Sequence, residues 1–154
     1  PPRSTLFPYT TLFRSASEGV HDMGTGEVDD ALAAALWLRA RHPELPITLL
    51  GFSFGGFVAA SLGGRLEARG EKLSRLFMVA PAVMRLRAED DLPQACAVTV
   101  IQPETDEVID PQLVYDWSNA LSRPHELLKV AECGHFFHGK LPELTELVAP
   151  RLSN

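Results

Sequence analysis

Residues 51–55 read Gly-Phe-Ser-Phe-Gly and lie between an apolar run and a longer stretch of helical periodicity. The apolar run, Ile-Thr-Leu-Leu at 47–50, follows Pro46 and predicts a short strand that is buried on both faces. The stretch that follows, residues 54–68, predicts a helix because apolar residues recur there at i+4. The pentapeptide therefore marks a sharp turn from a strand into a helix.

The same pentapeptide matches the pattern G-x-S-x-G, which in this setting predicts a nucleophile elbow. In such an elbow Ser53 takes a strained backbone conformation that exposes its hydroxyl above the sheet. Small residues at Gly51, Gly55 and Gly56 would let the strand and the helix approach closely. The amide of Phe54, at the helix N-terminus, would point at a developing oxyanion, and we expect Phe54, Gly51 and Gly55 to border the substrate. The alternative is a glycine-rich turn in which Ser53 only caps the helix.

Strand and helix patterns alternate along the rest of the chain. Further strands are predicted at 76–80, 95–101 and 127–131, and further helices at about 27–41, from residue 110 to just before Pro124, and at 141–152. Residues 81–95 indicate a polar lid loop or a short helix. Alternation with short connections predicts an α/β fold, with a mostly parallel sheet of about four strands and helices on both faces. No linker divides the chain, so we expect residues 16–154 to form a single domain.

The composition is that of an ordinary globular protein and excludes several classes of function. The 154 residues carry a net charge of −6, so we expect no nucleic-acid partner and no membrane-surface partner. No apolar run approaches the roughly 20 residues that span a bilayer. The two cysteines, Cys96 and Cys133, match no disulfide framework or zinc spacing and predict buried thiols in a cytoplasmic protein. No metal or nucleotide motif is found, so we predict neither a metal nor a cofactor.

A serine nucleophile needs a general base, and the base needs an acid that orients it. Asp106 lies just after the third predicted strand, and His135 lies just after the fourth. Because the carboxyl ends of parallel strands meet at one edge of a sheet, both residues should lie at the same edge as Ser53. The chain order of serine, acid and histidine is the one that accompanies a nucleophile elbow.

Two alternatives remain open for the acid and the base. Asp110 could be the acid, although the proline after it makes it the better helix cap. His138 could be the base in place of His135. However, a glycine, which lets the backbone turn sharply, precedes His135 and does not precede His138. Two further carboxylates near Asp106, Glu104 and Glu107, are predicted to be solvated loop charges.

These residues resemble the α/β-hydrolase superfamily, and more narrowly its small, cap-less bacterial serine hydrolases of the dienelactone-hydrolase-like and predicted-hydrolase groups. The matching pieces are residues 16–19, 26–30, 51–56, 105–108 and 134–137. The resemblance implies a three-layer α/β-hydrolase fold in which Ser53 attacks an acyl carbonyl and His135 and Asp106 complete the triad. Dienelactone hydrolases proper use a cysteine nucleophile, so the serine here is closer to the esterase-like members.

The resemblance also implies the kind of substrate. A carboxylic ester or a similar small acyl compound is expected, with no cofactor. The other class of function is a non-catalytic binding or scaffold protein on the same fold, because fold alone does not establish chemistry.

The first fifteen residues contain Thr-Leu-Phe twice, at 5–7 and at 11–13, and resemble the translation of a sequencing adapter. We therefore expect residues 1–15 not to be native and the chain to be an N-terminally truncated member of the family. The family sheet has additional strands that would precede the elbow strand and carry the loop that donates a second oxyanion amide. The elbow strand would then be a sheet edge, and we expect the isolated chain to be weakly stable and less active, with a homo-oligomer left open.

Overall fold

The computed structural model describes residues 21–86 and 92–152, and the expectations for residues 1–15 and 16–19 lie outside these ranges. In chain order the elements are α1 (Thr25–Arg41), β1 (Ile47–Phe52), α2 (Phe54–Glu67), β2 (Leu73–Val79), a 3₁₀ turn (Val83–Arg85), β3 (Ala97–Pro103), α3 (Pro111–Ala120), β4 (Glu126–Val130) and α4 (Leu141–Leu152). This order matches the alternation predicted from the sequence.

The four strands form one parallel sheet in the order β1-β2-β3-β4. At the carboxyl ends Phe52 is level with Val79, Val79 is level with Ile101, and Pro103 is level with Val130. The residues that follow β1, β3 and β4 therefore emerge at one edge of the sheet, and the predicted α/β class is confirmed.

Helices cover both faces of this sheet. On one face Met78 and Val100 of the strands pack with Ala60 of α2 and Val114 of α3 in the main core cluster. On the other face Ile101 belongs to a second cluster, against which Leu144 and Val148 of α4 pack. Because side chains alternate along a strand, neighbouring residues of β3 supply the two clusters.

The strand that leads into the elbow is less buried than the sequence predicted. Leu49 packs against the α1–α2 layer, but Leu50 is 55% exposed and Phe52 is 41% exposed. The expectation of burial on both faces is wrong, because β1 is an edge strand and α4 covers its second face only in part. Leu50 instead borders a shallow apolar groove together with Leu144 and Val148.

Of the two predictions for the connection between β2 and β3, a polar lid loop or a short helix, its described part matches the short helix. The segment begins with the short 3₁₀ turn, and Val83, Leu86 and Leu92 around it are buried in the main core cluster. Most of the apolar side chains in the described part of this stretch therefore belong to the core, whereas Met84 is 58% exposed. Residues 87–91 lie outside the described ranges.

Two further findings concern the cysteines and the possibility of a membrane-spanning helix. Both cysteines, Cys96 and Cys133, are free and buried. Among residues 21–86 and 92–152, no helix has the length and apolar character needed to cross a membrane.

Candidate active site

The turn between β1 and α2 holds Ser53 in an unusual backbone conformation. Its φ of 53° and ψ of −118° lie in a region that L-amino acids other than glycine rarely adopt. Backbone hydrogen bonds hold this conformation: the Ser53 amide donates to the Val79 carbonyl at 2.8 Å, and the Ser53 carbonyl accepts from Gly56 at 2.9 Å. The serine hydroxyl makes no capping bond to α2, so the alternative of Ser53 as a simple helix cap does not describe this turn.

Two of the three glycines around the elbow are needed for close packing. A Cβ on Gly51 would lie 2.0 Å from the Gly55 carbonyl oxygen, and a Cβ on Gly56 would lie 3.1 Å from the Pro81 Cβ. Among the residues that the structure describes, a Cβ on Gly55 would meet no atom within 4 Å apart from its chain neighbours and its own helix backbone. The steric role expected of Gly55 is therefore wrong, because its α-hydrogen faces open space.

The structure brings together the three side chains that the sequence singled out. The Ser53 Oγ lies 2.9 Å from the His135 Nε2, and the His135 Nδ1 lies 2.8 Å from the Asp106 Oδ2. The histidine is 2% exposed and the aspartate is 8% exposed, so the bond between them is shielded from water, whereas the bond to Ser53 is only partly buried. One continuous chain of hydrogen bonds thus joins a hydroxyl, an imidazole and a carboxylate.

The Asp106 carboxylate is fixed by several donors besides His135. Its Oδ1 accepts from the amides of Val108 and Ile109, both at 2.8 Å, and its Oδ2 accepts from the Gln102 side chain at 3.2 Å. An ionised carboxylate can only accept hydrogen bonds, so a neutral His135 bonded to Asp106 carries its proton on Nδ1. The His135 Nε2 is then free to accept the Ser53 hydroxyl proton.

The alternative acid and base lie elsewhere. Asp110 caps α3, where its carboxylate accepts from the Gln112 amide at 2.9 Å. His138 is exposed and contacts the Phe136 ring, with 5.9 Å between the ring centroids. Neither side chain takes part in the hydrogen-bond chain that ends at Ser53.

Glu107 is an exposed loop residue, as predicted, but it also makes a specific contact that the sequence did not predict. Its carboxylate accepts a hydrogen bond from the backbone amide of His135 at 3.0 Å. This bond is the main reason that the pKa of the Glu107 carboxyl lies below its ordinary value. A Cβ on Gly134 would lie 2.7 Å from the same carboxylate, so this glycine makes room for Glu107. Sequence reasoning missed Glu107, and the only signal was its place directly after Asp106.

Aromatic rings border the histidine on the solvent side. The centroid of the Phe52 ring lies 4.9 Å from that of the His135 ring. The Phe136 ring meets the His135 ring edge-on, with 5.1 Å between the centroids. Phe136 is 52% exposed. These two phenylalanines form an apolar surface beside the Ser53–His135 bond, which the sequence analysis did not predict.

The remaining polar features of the site are backbone groups. Phe54 is the first residue of α2, and the first amides of a helix have no acceptor within it. Its amide therefore offers a donor next to the Ser53 hydroxyl. Within the described ranges no group of three or more His, Cys, Asp or Glu side chains could hold a metal ion.

Known proteins share this architecture. The model of the thioesterase domain family matches residues 26–116, which is more than half of the chain. An uncharacterized protein from Rickettsia prowazekii (strain Madrid E) is 30% identical over 154 residues, an alignment that takes in 91% of this chain and 63% of the relative.

Solved structures agree with this family match. The crystal structure of an α/β serine hydrolase without a lid from Xanthomonas campestris is 37% identical, with a TM-score of 0.81, and the match covers 90% of this chain and 61% of that one. An α/β serine hydrolase homologue from Coxiella burnetii is 33% identical, with a TM-score of 0.76, over 91% of this chain and 65% of that one.

The chain spans less than two thirds of the length of each of these three relatives. The resemblance to the α/β-hydrolase superfamily that the sequence motifs indicated is confirmed. This chain belongs to the thioesterase domain family of α/β hydrolases.

Proposed function

We propose that this chain carries the catalytic groups of a serine hydrolase that cleaves carboxylic esters or thioesters. Ser53 is the nucleophile, His135 the general base and Asp106 the residue that orients His135. The observation that carries the proposal is the hydrogen-bond chain from Ser53 through His135 to Asp106, with distances of 2.9 and 2.8 Å. Such a chain raises the reactivity of a serine hydroxyl that would otherwise be a weak nucleophile.

The reaction follows from the proton positions. The Ser53 Oγ attacks the acyl carbonyl carbon while its proton moves to the His135 Nε2, and the carbonyl oxygen becomes an oxyanion. The Phe54 amide donates to this oxyanion, and Gly51 and Gly55 border the acyl group. The leaving alcohol takes the proton from His135, and an acyl ester remains on Ser53. Water, deprotonated by His135, then attacks this ester and releases the acid and the free serine.

The surroundings of the site favour an apolar acyl substrate of low molecular mass. Phe52 and Phe136 are exposed beside the reacting atoms, where they would contact an acyl chain or an aromatic ring. The match to the thioesterase domain family adds thioesters to the carboxylic esters expected from the motifs. The chemistry needs no cofactor, because the three side chains supply both the nucleophile and the proton transfers.

Hydrolysis of a matched pair of substrates tests this proposal. We expect the chain to cleave a p-nitrophenyl ester and a thioester of the same short apolar acid, and Ser53→Ala to lower kcat/KM for both by at least about 10³. Ser61→Ala, on the same helix, is the matched control and should retain full activity. Equal activity in Ser53→Ala would refute the proposal, and binding of the substrates without turnover would favour the non-catalytic binding protein.

A further inference from the structure

The loop after β3 and the loop after β4 are joined by more than the Asp106–His135 bond. The Thr105 hydroxyl donates to the Cys133 carbonyl at 2.9 Å, and the Glu104 amide donates to the Val130 carbonyl at 2.9 Å. Glu107 adds the bond to the His135 amide at 3.0 Å. The loop that carries His135 is therefore held, from its start as far as His135, by the loop that carries Asp106.

Asp106 and Glu107 hold the same histidine at two different points. The Asp106 carboxylate binds the imidazole Nδ1, and the Glu107 carboxylate binds the backbone amide. Two fixed points, one at the ring and one at the main chain, leave the side chain little freedom to move its Nε2 away from Ser53. An imidazole displaced by about 1 Å would lose much of its ability to take the serine proton.

The glycine before the histidine is part of this arrangement. A Cβ on Gly134 would lie 2.7 Å from the Glu107 Oε2, and the three nearest atoms that it would meet all belong to Glu107. Gly134 thus contributes a small volume that the carboxylate occupies. An alanine there would push the carboxylate off the His135 amide.

We propose that Glu107 is a positioning residue for the hydrolytic reaction, which fixes the main chain of His135 so that the imidazole stays in reach of the Ser53 hydroxyl. This inference rests on the function proposed above. Glu107 does not contact Ser53, so it acts through His135 and needs no contact with the substrate.

The first arm of the test measures the rate at which a fluorophosphonate probe modifies Ser53. Glu107→Ala should slow modification about 10-fold, because the imidazole is less well placed. Glu107→Gln keeps an oxygen acceptor of the same length and should restore the rate to within about twofold of the wild type. Glu104→Ala removes an exposed carboxylate from the same loop and should leave the rate unchanged.

A double-mutant comparison tests the contact with Gly134. Gly134→Ala alone should slow modification as much as Glu107→Ala does. In the Glu107→Ala background, Gly134→Ala should cause no further loss, because the carboxylate that its methyl group would displace is already absent. Additive losses would contradict the proposal.

The second arm does not depend on catalysis. Amide hydrogen exchange, followed residue by residue by NMR, should show about a 10-fold loss of protection at the His135 amide in Glu107→Ala and recovery in Glu107→Gln. Unchanged protection, or lost protection with an unchanged modification rate, would overturn the proposal. A wild type that the probe does not modify would refute the proposed hydrolase, and the exchange measurement would still decide whether Glu107 holds the histidine. If Glu107→Ala does not fold, Gly134→Ala and Glu107→Gln provide the same comparison.

Discussion

The Ser53 Oγ lies 2.9 Å from the His135 Nε2, although 82 positions separate the two residues along the chain. The parallel sheet explains this closeness. Ser53 directly follows β1 and His135 follows β4, so both residues lie at the carboxyl edge of the sheet. The contact therefore depends on the order and direction of the strands as much as on the residues themselves.

The elbow should tolerate an added methyl group at one glycine and not at the other. Gly51→Ala would place a Cβ 2.0 Å from a backbone oxygen, and we expect it to lower the free energy of unfolding by about 3 kcal/mol. Gly55→Ala adds a methyl group in open space within a helix and should raise the free energy of unfolding by about 0.5–1 kcal/mol. Urea unfolding of the two variants measures this contrast, and equal effects would contradict the packing described for the elbow.

The strained backbone of Ser53 predicts that a glycine at this position gives a more stable protein than an alanine. Glycine adopts a φ of 53° with a ψ of −118° without strain, whereas alanine does not. We expect Ser53→Gly to be about 1 kcal/mol more stable than Ser53→Ala, after allowance for the greater entropy of glycine in the unfolded chain. Thermal unfolding of both inactive variants tests this difference. A Ser53→Ala variant as stable as Ser53→Gly would mean that the elbow stores no strain.

Ester and thioester substrates should respond differently to the loss of the general base. An alcohol leaves poorly unless His135 protonates it, whereas a thiol, with an ordinary pKa near 8.5, leaves as the thiolate. We therefore expect His135→Ala to lower kcat/KM for an alkyl ester, which in place of the p-nitrophenyl ester has a poor leaving group, at least about 10-fold more than for the thioester of the same acid. Equal losses for both substrates would show that His135 does not protonate the leaving group.

The start of α1 should give the protein a stability that depends on acidic pH. Burial raises the pKa of Glu27, but hydrogen bonds from the Asp22 and Gly24 amides outweigh this and lower the pKa to about 2. Because the ordinary pKa is 4.5, the unfolded chain binds a proton before the folded chain does. The contribution of Glu27 is therefore complete above about pH 4.5 and is lost as the pH falls toward 2.

The variant Glu27→Gln isolates this effect. Its single side-chain oxygen can accept from only one of the two amides, and it has no charge to lose. The difference in Tm between the wild type and Glu27→Gln should be largest near neutral pH and should shrink between pH 4.5 and 2. A difference that stays constant over this range would contradict the lowered pKa.

The order of the elements could be predicted from the sequence because each carries its own local signal. The boundaries of α2 and α4 follow from apolar spacing, and the start of α3 follows from Asp110, whose carboxylate caps the helix as its sequence neighbours predict. Ser53, Asp106 and His135 could be singled out because each follows a predicted strand.

What could not be predicted depends on neighbours that are distant in the sequence. The exposure of Leu50 follows from the partial cover that α4 gives to the second face of β1, which the residues of β1 do not reveal. The role of Glu107 depends on the His135 amide, 28 positions away, and the open space at Gly55 depends on the direction of its α-hydrogen. The sequence around a polar or small residue is compatible with several contacts, and the tertiary structure determines which of them forms.

The central claim, that His135 and Asp106 make Ser53 reactive, is tested most directly by locating a fluorophosphonate adduct. Peptide mapping by mass spectrometry after brief exposure to the probe should find the adduct on Ser53 alone. Ser53→Ala should carry no adduct, and Asp106→Asn should react slower by about 10² or more. A folded wild-type chain without an adduct on Ser53, or an Asp106→Asn variant that reacts at the wild-type rate, would contradict the claim.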